Sequence, residues 1–274
     1  MSWNVRGINE VNKRLHIRSL LRSWKVDIVC LQETKLEVIS LRIIRSLWSC
    51  VQVGWHYLPS IGASGGILVM WDKRVVENKE NFMGDYVVAC SFMNVIDGYQ
   101  WAFAGVYGPN LDRSRSLLWD ELAGISSFWD LPWCIGGDFN VTRFPSERSG
   151  GVGYNQPMVD FSNFISEQNL QDLPLAGGSF TWSNNRDLPS WSRIDRFLIS
   201  TDWEAHYPEL IQKRLPRLCS DHFPILLNCG GIRSGPRHFK FENMWLKSEG
   251  FLDRIRQWWS SYHFHGTASY KMAC

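Results

Sequence analysis

Apolar residues Ile17, Leu20, Leu21 and Trp24 recur at helical spacing while Arg14, Arg18 and Arg22 fall one turn apart on another face, which predicts an amphipathic helix over 17–24. The run at 26–32 (VDIVCLQ) is short, apolar and β-branched, as a strand buried on both faces should be, and it ends in Glu33. A helix over 41–48 and a strand over 65–71 (GGILVMW) follow. The runs 87–94 and 100–107 flank Asp97-Gly98, a pair suited to positive φ, and read as an antiparallel hairpin. Residues 114–129 pattern as a helix, 133–135 as a very short strand running into Gly136-Gly137-Asp138, and 159–169 as another helix. A second hairpin is predicted from 179–183 and 193–199, joined through the polar turn 184–190. Helices interleaved with hairpins and buried strands predict a layered α/β sandwich, and the hairpins exclude an all-parallel sheet.

Beyond Leu227 the pattern breaks. Residues 229–237 (CGGIRSGPR) carry no apolar periodicity and read as a linker, and 238–274 as a helical connector with an apolar stripe through Phe251, Leu252, Ile255, Trp258 and Trp259. The expected division is therefore a single domain over 1–228, a linker over 229–237 and a connector fragment over 238–274.

Composition narrows the class. A chain of 274 residues that is 45% hydrophobic and 20% charged is long enough and apolar enough to build a large core. The formal charge of +2 is an average: residues 1–228 carry 22 basic and 24 acidic side chains, and the remainder seven and three. No bulk positive field therefore marks a nucleic-acid partner, which has to be read from a site. Seven scattered cysteines without paired spacing fit a reducing compartment, and the absence of a signal core or of a run near 20 apolar residues predicts an intracellular protein with no membrane contact.

The strand ends deliver polar groups: Asn4, Glu33, Tyr107, Asp138 with Asn140, Asp195, and Asp221 with His222. Such a set at strand exits is where α/β folds place chemistry. Hard carboxylate oxygens suit Mg²⁺, and a carboxylate, an amide and a histidine around it suffice for phosphate-ester hydrolysis. Taken singly, each residue has an ordinary reading: Glu33 as a helix-start carboxylate, Asp138 as a turn residue, His222 as a structural histidine, Asn4 and Tyr107 as satisfied polar groups.

These residues sit in phrases that follow one another in a fixed order. WNVRG (3–7), LQETK (31–35), VYGP (106–109), GGDFN (136–140), SRIDRFLIS (192–200) and SDHFPILL (220–227) resemble the successive motifs of the endonuclease/exonuclease/phosphatase (DNase I-like) superfamily. SFTWSN (179–184) and FKFENMWL (239–246) are similar to the endonuclease domain of plant LINE-type non-LTR retrotransposons.

The resemblance implies a four-layered α/β sandwich of two mixed, largely antiparallel β-sheets packed face to face and flanked by helices. It implies a Mg²⁺-dependent (or Mn²⁺-dependent) DNA-nicking endonuclease with Glu33 as principal metal ligand and Asn4 and Asp221 near the metal. Asp138 would orient or deprotonate the attacking water, Asn140 and Tyr107 would contact the phosphate, and His222, held by Asp195, would stabilise the pentavalent phosphate. Nucleic-acid contacts are expected from Arg143, Arg148, Trp182, Asn184 and Arg193. The family's first strand starts several residues earlier than Trp3, so a clipped central strand and a marginal fold are expected. A reverse-transcriptase domain belongs to the parent element and is absent from this chain, which would act as a monomer at a nuclear site. Two further readings stay open: a phosphomonoesterase or phosphoinositide phosphatase of the same superfamily, and a catalytically silent truncated remnant.

Overall fold

The computed structural model of the protein describes residues 1–62, 64–151, 153–230 and 250–261. Its first half runs β1 (Ser2–Asn4), α1 (Val11–Trp24), β2 (Ile28–Gln32), α2 (Leu41–Leu47), β3 (Val53–Ile61) and β4 (Ser64–Asp72). There follow β5 (Val76–Met83), β6 (Val87–Asn94), β7 (Gln100–Tyr107), α3 (Arg115–Phe128), β8 (Trp133–Asp138) and α4 (Gln156–Glu167). The chain then forms β9 (Leu170–Asp172), β10 (Leu175–Ala176), β11 (Trp182–Ser183), β12 (Trp191–Ser192), β13 (Asp195–Ser200), α5 (Thr201–His206), β14 (Ile211–Arg214) and β15 (Ile225–Asn228).

Two large mixed sheets result, ordered β10-β14-β15-β1-β2-β4-β3 and β5-β6-β7-β8-β13-β9. Side chains alternate along each strand, so each buried strand feeds two cores at once. Cys30, Ile67, Val69, Val88, Cys90 and Phe197 meet between the sheets. Their neighbours turn outward: Val29, Leu31, Leu68 and Met70 pack with Ile17, Leu21 and Ile44 of α1 and α2. On the other sheet Val87, Ala89, Ala104 and Leu198 pack with Leu118, Leu122, Phe161 and Phe164 of α3 and α4. The layers are thus helix, sheet, sheet, helix, the predicted four-layered sandwich. Gly136 permits the close fit in the middle, because a Cβ there would collide with the Phe197 ring.

The predicted β6–β7 hairpin forms in register, with Val87 opposite Val106 and Met93 opposite Gln100. The second predicted hairpin does not form as drawn. Its real arms are the two-residue strands β11 and β12, and residues 195–200 instead enter the second sheet between β8 and β9. Asp195 pairs with Asp138 in that register, a placement that burial of Phe197 and Ile199 on one face and Leu198 on the other enforces.

The chain divides into two compact units, Met1–Ile232 and Arg233–Cys274. In the second, α6 (Phe251–Ser261) is described, with Arg256 Nη1 donating to Asp253 Oδ1 at 3.1 Å on an exposed face. Residues 231–237 of the expected linker, the phrase at 239–246 and the side chains of Trp258 and Trp259 lie outside the described residues. No helix among the described residues is long and apolar enough to cross a membrane.

Candidate active site

Strand directions gather the site. β1 runs parallel to β2, and β7 parallel to β8, so Asn4, Glu33, Tyr107 and Asp138 leave the sheets at one edge. β13 enters antiparallel beside β8 and brings Asp195 level with Asp138. All but Asp195 open onto one polar cavity of about 660 Å³, joined there by Asn140, Arg148, Trp182, Asp221 and His222. Asp195 lies behind His222.

His222 is the pivot. Its Nδ1 lies 3.1 and 3.0 Å from the two carboxylate oxygens of Asp195, and its Nε2 lies 3.8 Å from Oδ2 of Asp138. The Asp195 contact fixes ring orientation and leaves Nε2 facing the cavity. The loop around it is fixed as well, since Trp3 Nε1 donates to the His222 carbonyl at 3.1 Å and the His222 amide donates to Ser220 Oγ at 3.2 Å. Asp195 is set by its own N–H, which donates to Thr181 Oγ1 at 3.0 Å.

Asp138 is held from both sides. Asn4 Nδ2 donates to its Oδ2 and the Asn140 amide to its Oδ1, each at 2.9 Å. Asn140 in turn donates from Nδ2 to the Gly108 carbonyl at 2.7 Å, and its own carbonyl accepts from Arg115 Nη2 at 2.7 Å. Burial pushes the Asp138 carboxyl up to about 7, the nearby Asp195 adding to the rise and His222 opposing it. Burial alone would pull His222 down, but Asp195 and then Asp138 outweigh it and push the imidazole up to about 9. An imidazolium between two carboxylates is the arrangement these directions favour.

Glu33 closes the other side. Its Oε1 lies 3.0 Å from Lys35 Nζ, and the Tyr107 hydroxyl donates to its carboxylate. Burial first, and Glu33 second, hold the Tyr107 phenol well above its ordinary value, so it remains a hydrogen-bond donor. Asp221 Oδ2 accepts from Arg6 Nη1 at 2.6 Å and from Trp182 Nε1 at 2.9 Å.

For a divalent cation the donor chemistry fits. Glu33 is a carboxylate only 15% exposed on the cavity wall, matched by a single cation on a flexible stem. Asp138, Asp195 and His222 form a further buried group of ligand type, but their atoms face one another. Oxygen ligands of this kind suit a hard ion.

The structure brings together Asn4, Glu33, Tyr107, Asp138, Asn140, Asp195, Asp221 and His222. Arg148 and Trp182 of the expected nucleic-acid contacts also reach the cavity. The others do not. Arg193 is 13% exposed and donates to Glu147 Oε1 at 3.2 Å and Asp172 Oδ1 at 2.9 Å. Arg143 reaches Asp172 at 3.5 Å in the same cluster. Both arginines are internal ties, because buried carboxylates claim them. Asn184 turns back on its own loop, its Oδ1 accepting from the amides of Arg186 and Ser190 at 3.3 and 3.0 Å. Three cations that line the cavity, Arg6, Lys35 and Arg115, escape the sequence reading; for the first two the available signal was a basic residue two places after Asn4 and after Glu33.

Comparison with known proteins gives this geometry its context. The pattern of the Endonuclease/Exonuclease/phosphatase family matches residues 1–222. An exodeoxyribonuclease of Bacillus subtilis (strain 168) is 24% identical over 256 residues, covering 83% of this chain and 97% of that protein. The AP endonuclease LMAP from Leishmania major superposes with a TM-score of 0.63 at 17% identity, over 82% of this chain and 85% of that one. The endonuclease domain of TRAS1, a telomere-specific non-LTR retrotransposon, gives 0.63 at 14% identity, over 86% and 98%. These superpositions establish the DNase I-like fold. The chain belongs to the endonuclease/exonuclease/phosphatase family, whose members are hydrolases acting on phosphoester bonds.

Proposed function

We propose that this protein is a Mg²⁺-dependent phosphodiesterase that nicks DNA. The observation that carries the reading is His222 Nε2 facing the Asp138 carboxylate across 3.8 Å at the cavity floor, with Asp195 fixing the ring from behind. A scissile phosphate seated over that gap meets a proton donor on one side and a buried carboxylate on the other, the two groups that in-line attack of water requires. Asp138 accepts the proton of the water as its oxygen bonds to phosphorus and the P–O3′ bond breaks, the departing 3′ oxygen taking a proton from solvent. His222 donates to the non-bridging oxygen as charge builds on it, Asn140 adds a neutral donor through its second amide hydrogen, and the Tyr107 hydroxyl does so on turning from Glu33. Glu33 would hold the metal, which supplies charge neutralisation at the phosphate. Arg148 and Trp182 offer a cation and a ring face to the flanking nucleotides.

A deoxyribonuclease among the relatives and a retrotransposon endonuclease among the structural neighbours support DNA as the substrate. Supercoiled plasmid with Mg²⁺ tests the reading. The wild type should convert it to the open circular form, and Asp138→Ala and His222→Ala should each slow that by about 10²- to 10⁴-fold. Nicking by both variants at the wild-type rate would defeat it. Phosphate release from a soluble inositol phosphate, with plasmid left intact, would transfer the same site to a phosphomonoester.

A further inference from the structure

We infer that Arg217 is a positioning residue for His222, clamping the segment that carries the histidine against the β11–β12 hairpin. The inference rests on the phosphoesterase reading of the cavity and adds to it what holds the histidine's backbone in place. Arg217 does not line the cavity, so it acts through His222 rather than on the substrate.

Asp195 orients the imidazole ring, but the ring rides on a loop. Residues 215–224 join β14 to β15, and the loop closes where the Leu215 amide donates to the Pro224 carbonyl at 2.8 Å. Inside it, 221–223 run as a third strand beside β11, with Trp182 opposite His222. The Ser183 amide donates to the Asp221 carbonyl at 3.2 Å and the Phe223 amide to the Thr181 carbonyl at 2.7 Å. Two ladder bonds on a ribbon whose own strands are two residues long give little rigidity by themselves.

Arg217 reinforces that ribbon at the residues immediately before and after His222. Its Nη1 donates to the Asp221 carbonyl at 3.1 Å, the oxygen that Ser183 also reaches, and its guanidinium carbon lies 4.9 Å from the centre of the Phe223 ring. The same group lies 5.7 Å from the centre of the Trp191 ring on β12, so one planar cation touches both the histidine segment and the hairpin. A guanidinium can stack on rings while donating in its own plane, which an ammonium cannot do. Its charge is not spent on an acid. Arg143, Arg193 and Arg196 are claimed by Glu147 and Asp172, whereas no carboxylate among the described residues pairs with Arg217. Loosening this clamp would let Nε2 drift from its place 3.8 Å from Asp138, and a misplacement near 1 Å costs a catalytic group about 10²-fold.

Arg217→Met in the full chain keeps the stem and removes the fork. In plasmid nicking with Mg²⁺ it should lower kcat by about 10- to 100-fold and leave KM within about twofold, since it displaces a group that acts in the transition state and no substrate contact. Arg217→Lys should recover part of the loss. Trp191→Leu, which leaves the arginine but removes its seat on the hairpin, should act in the same direction to a smaller extent. Proton NMR supplies a readout that needs no turnover: the downfield Nδ1–H of His222, identified by its loss in His222→Gln, should be present in the wild type and lost to exchange with water in Arg217→Met, with a cooperative melt retained. A kcat within about twofold of the wild type, or an unchanged Nδ1–H in Arg217→Met, would overturn the inference. A wild type that leaves plasmid intact while the resonance follows this pattern would count against the nuclease reading alone.

Discussion

Two buried charged clusters lie close together in this molecule, and they are built for opposite ends. In one, Arg196 donates to Glu147 Oε2 at 2.7 Å and to Asp172 Oδ2 at 2.6 Å, with Arg193 and Arg143 bonded to the same two carboxylates. Every acid has a cation against it, and the cluster ties β13 to β9 and to the loop after β8. In the other, Asp138 and Asp195 share one histidine, and the gap between Nε2 and Asp138 opens to solvent. Both draw on adjacent residues of one strand: Asp195 and Arg196 point to opposite faces of β13. Charge completed within the fold holds elements together; charge left incomplete beside a cavity is available to a substrate.

The largest effect separating the two should come from His222→Ala, about 10²- to 10⁴-fold in nicking rate with little change in melting temperature. Asp195→Asn should follow at about 10²-fold or more, since the ring loses its orienting anion while the fold stays intact. Arg196→Met should show the reverse behaviour. It leaves two buried carboxylates short of a partner and should cost about 3 to 5 kcal/mol by urea unfolding, with the rate per folded molecule unchanged. A tenfold fall in that rate would erase the distinction between the clusters.

Acid should act on the tie cluster in a definite direction. Burial, the largest influence on Glu147, would raise its carboxyl, but Arg196 with the Arg143 amide and Arg193 together hold it below the ordinary value. A carboxylate depressed in the folded state contributes stability that is complete above its unfolded value of about 4.3 and is lost as pH falls through the folded value. Urea midpoints measured from pH 7 to pH 3 should therefore drop more steeply for the wild type than for Glu147→Gln. Smallest of all, Arg143→Ala, whose side chain is 23% exposed and 3.5 Å from its acid, should change stability by under about 1 kcal/mol.

How far the sequence foretold all this depended on where each residue lies in the sheets. Residues 87–94 and 100–107 read correctly to the residue because both faces of those strands are buried and the turn is marked by Asp97-Gly98. β3 and β5 left no comparable trace. They are the outer strands of the two sheets, β5 (VENKENFM) is exposed along most of its length, and a strand with one neighbour needs no apolar run. The clustering of the strand-end residues was legible because their types are unusual at strand ends and recur in motif order. Arg143 and Arg193 misled because a cation's partner is invisible in sequence: Glu147 lies 46 residues from Arg193. Asp221 was legible as a site residue, but its engagement by Arg6 depends on a contact spanning 215 positions.

Arg6, Glu33, Lys35 and Asn140 all have left-handed backbones, with φ of 48°, 54°, 57° and 51°, and all four line the polar cavity. Residues with a Cβ hold that conformation at a cost of about 1 kcal/mol each, which glycine escapes. A library selected for thermal persistence alone should therefore drift toward glycine at positions 6, 33, 35 and 140 and discard its cavity chemistry in doing so. Lys25, Asn169 and Asn185 share that conformation away from the cavity, so positions 6, 33, 35 and 140 are the ones at which selection for persistence and selection for turnover should part.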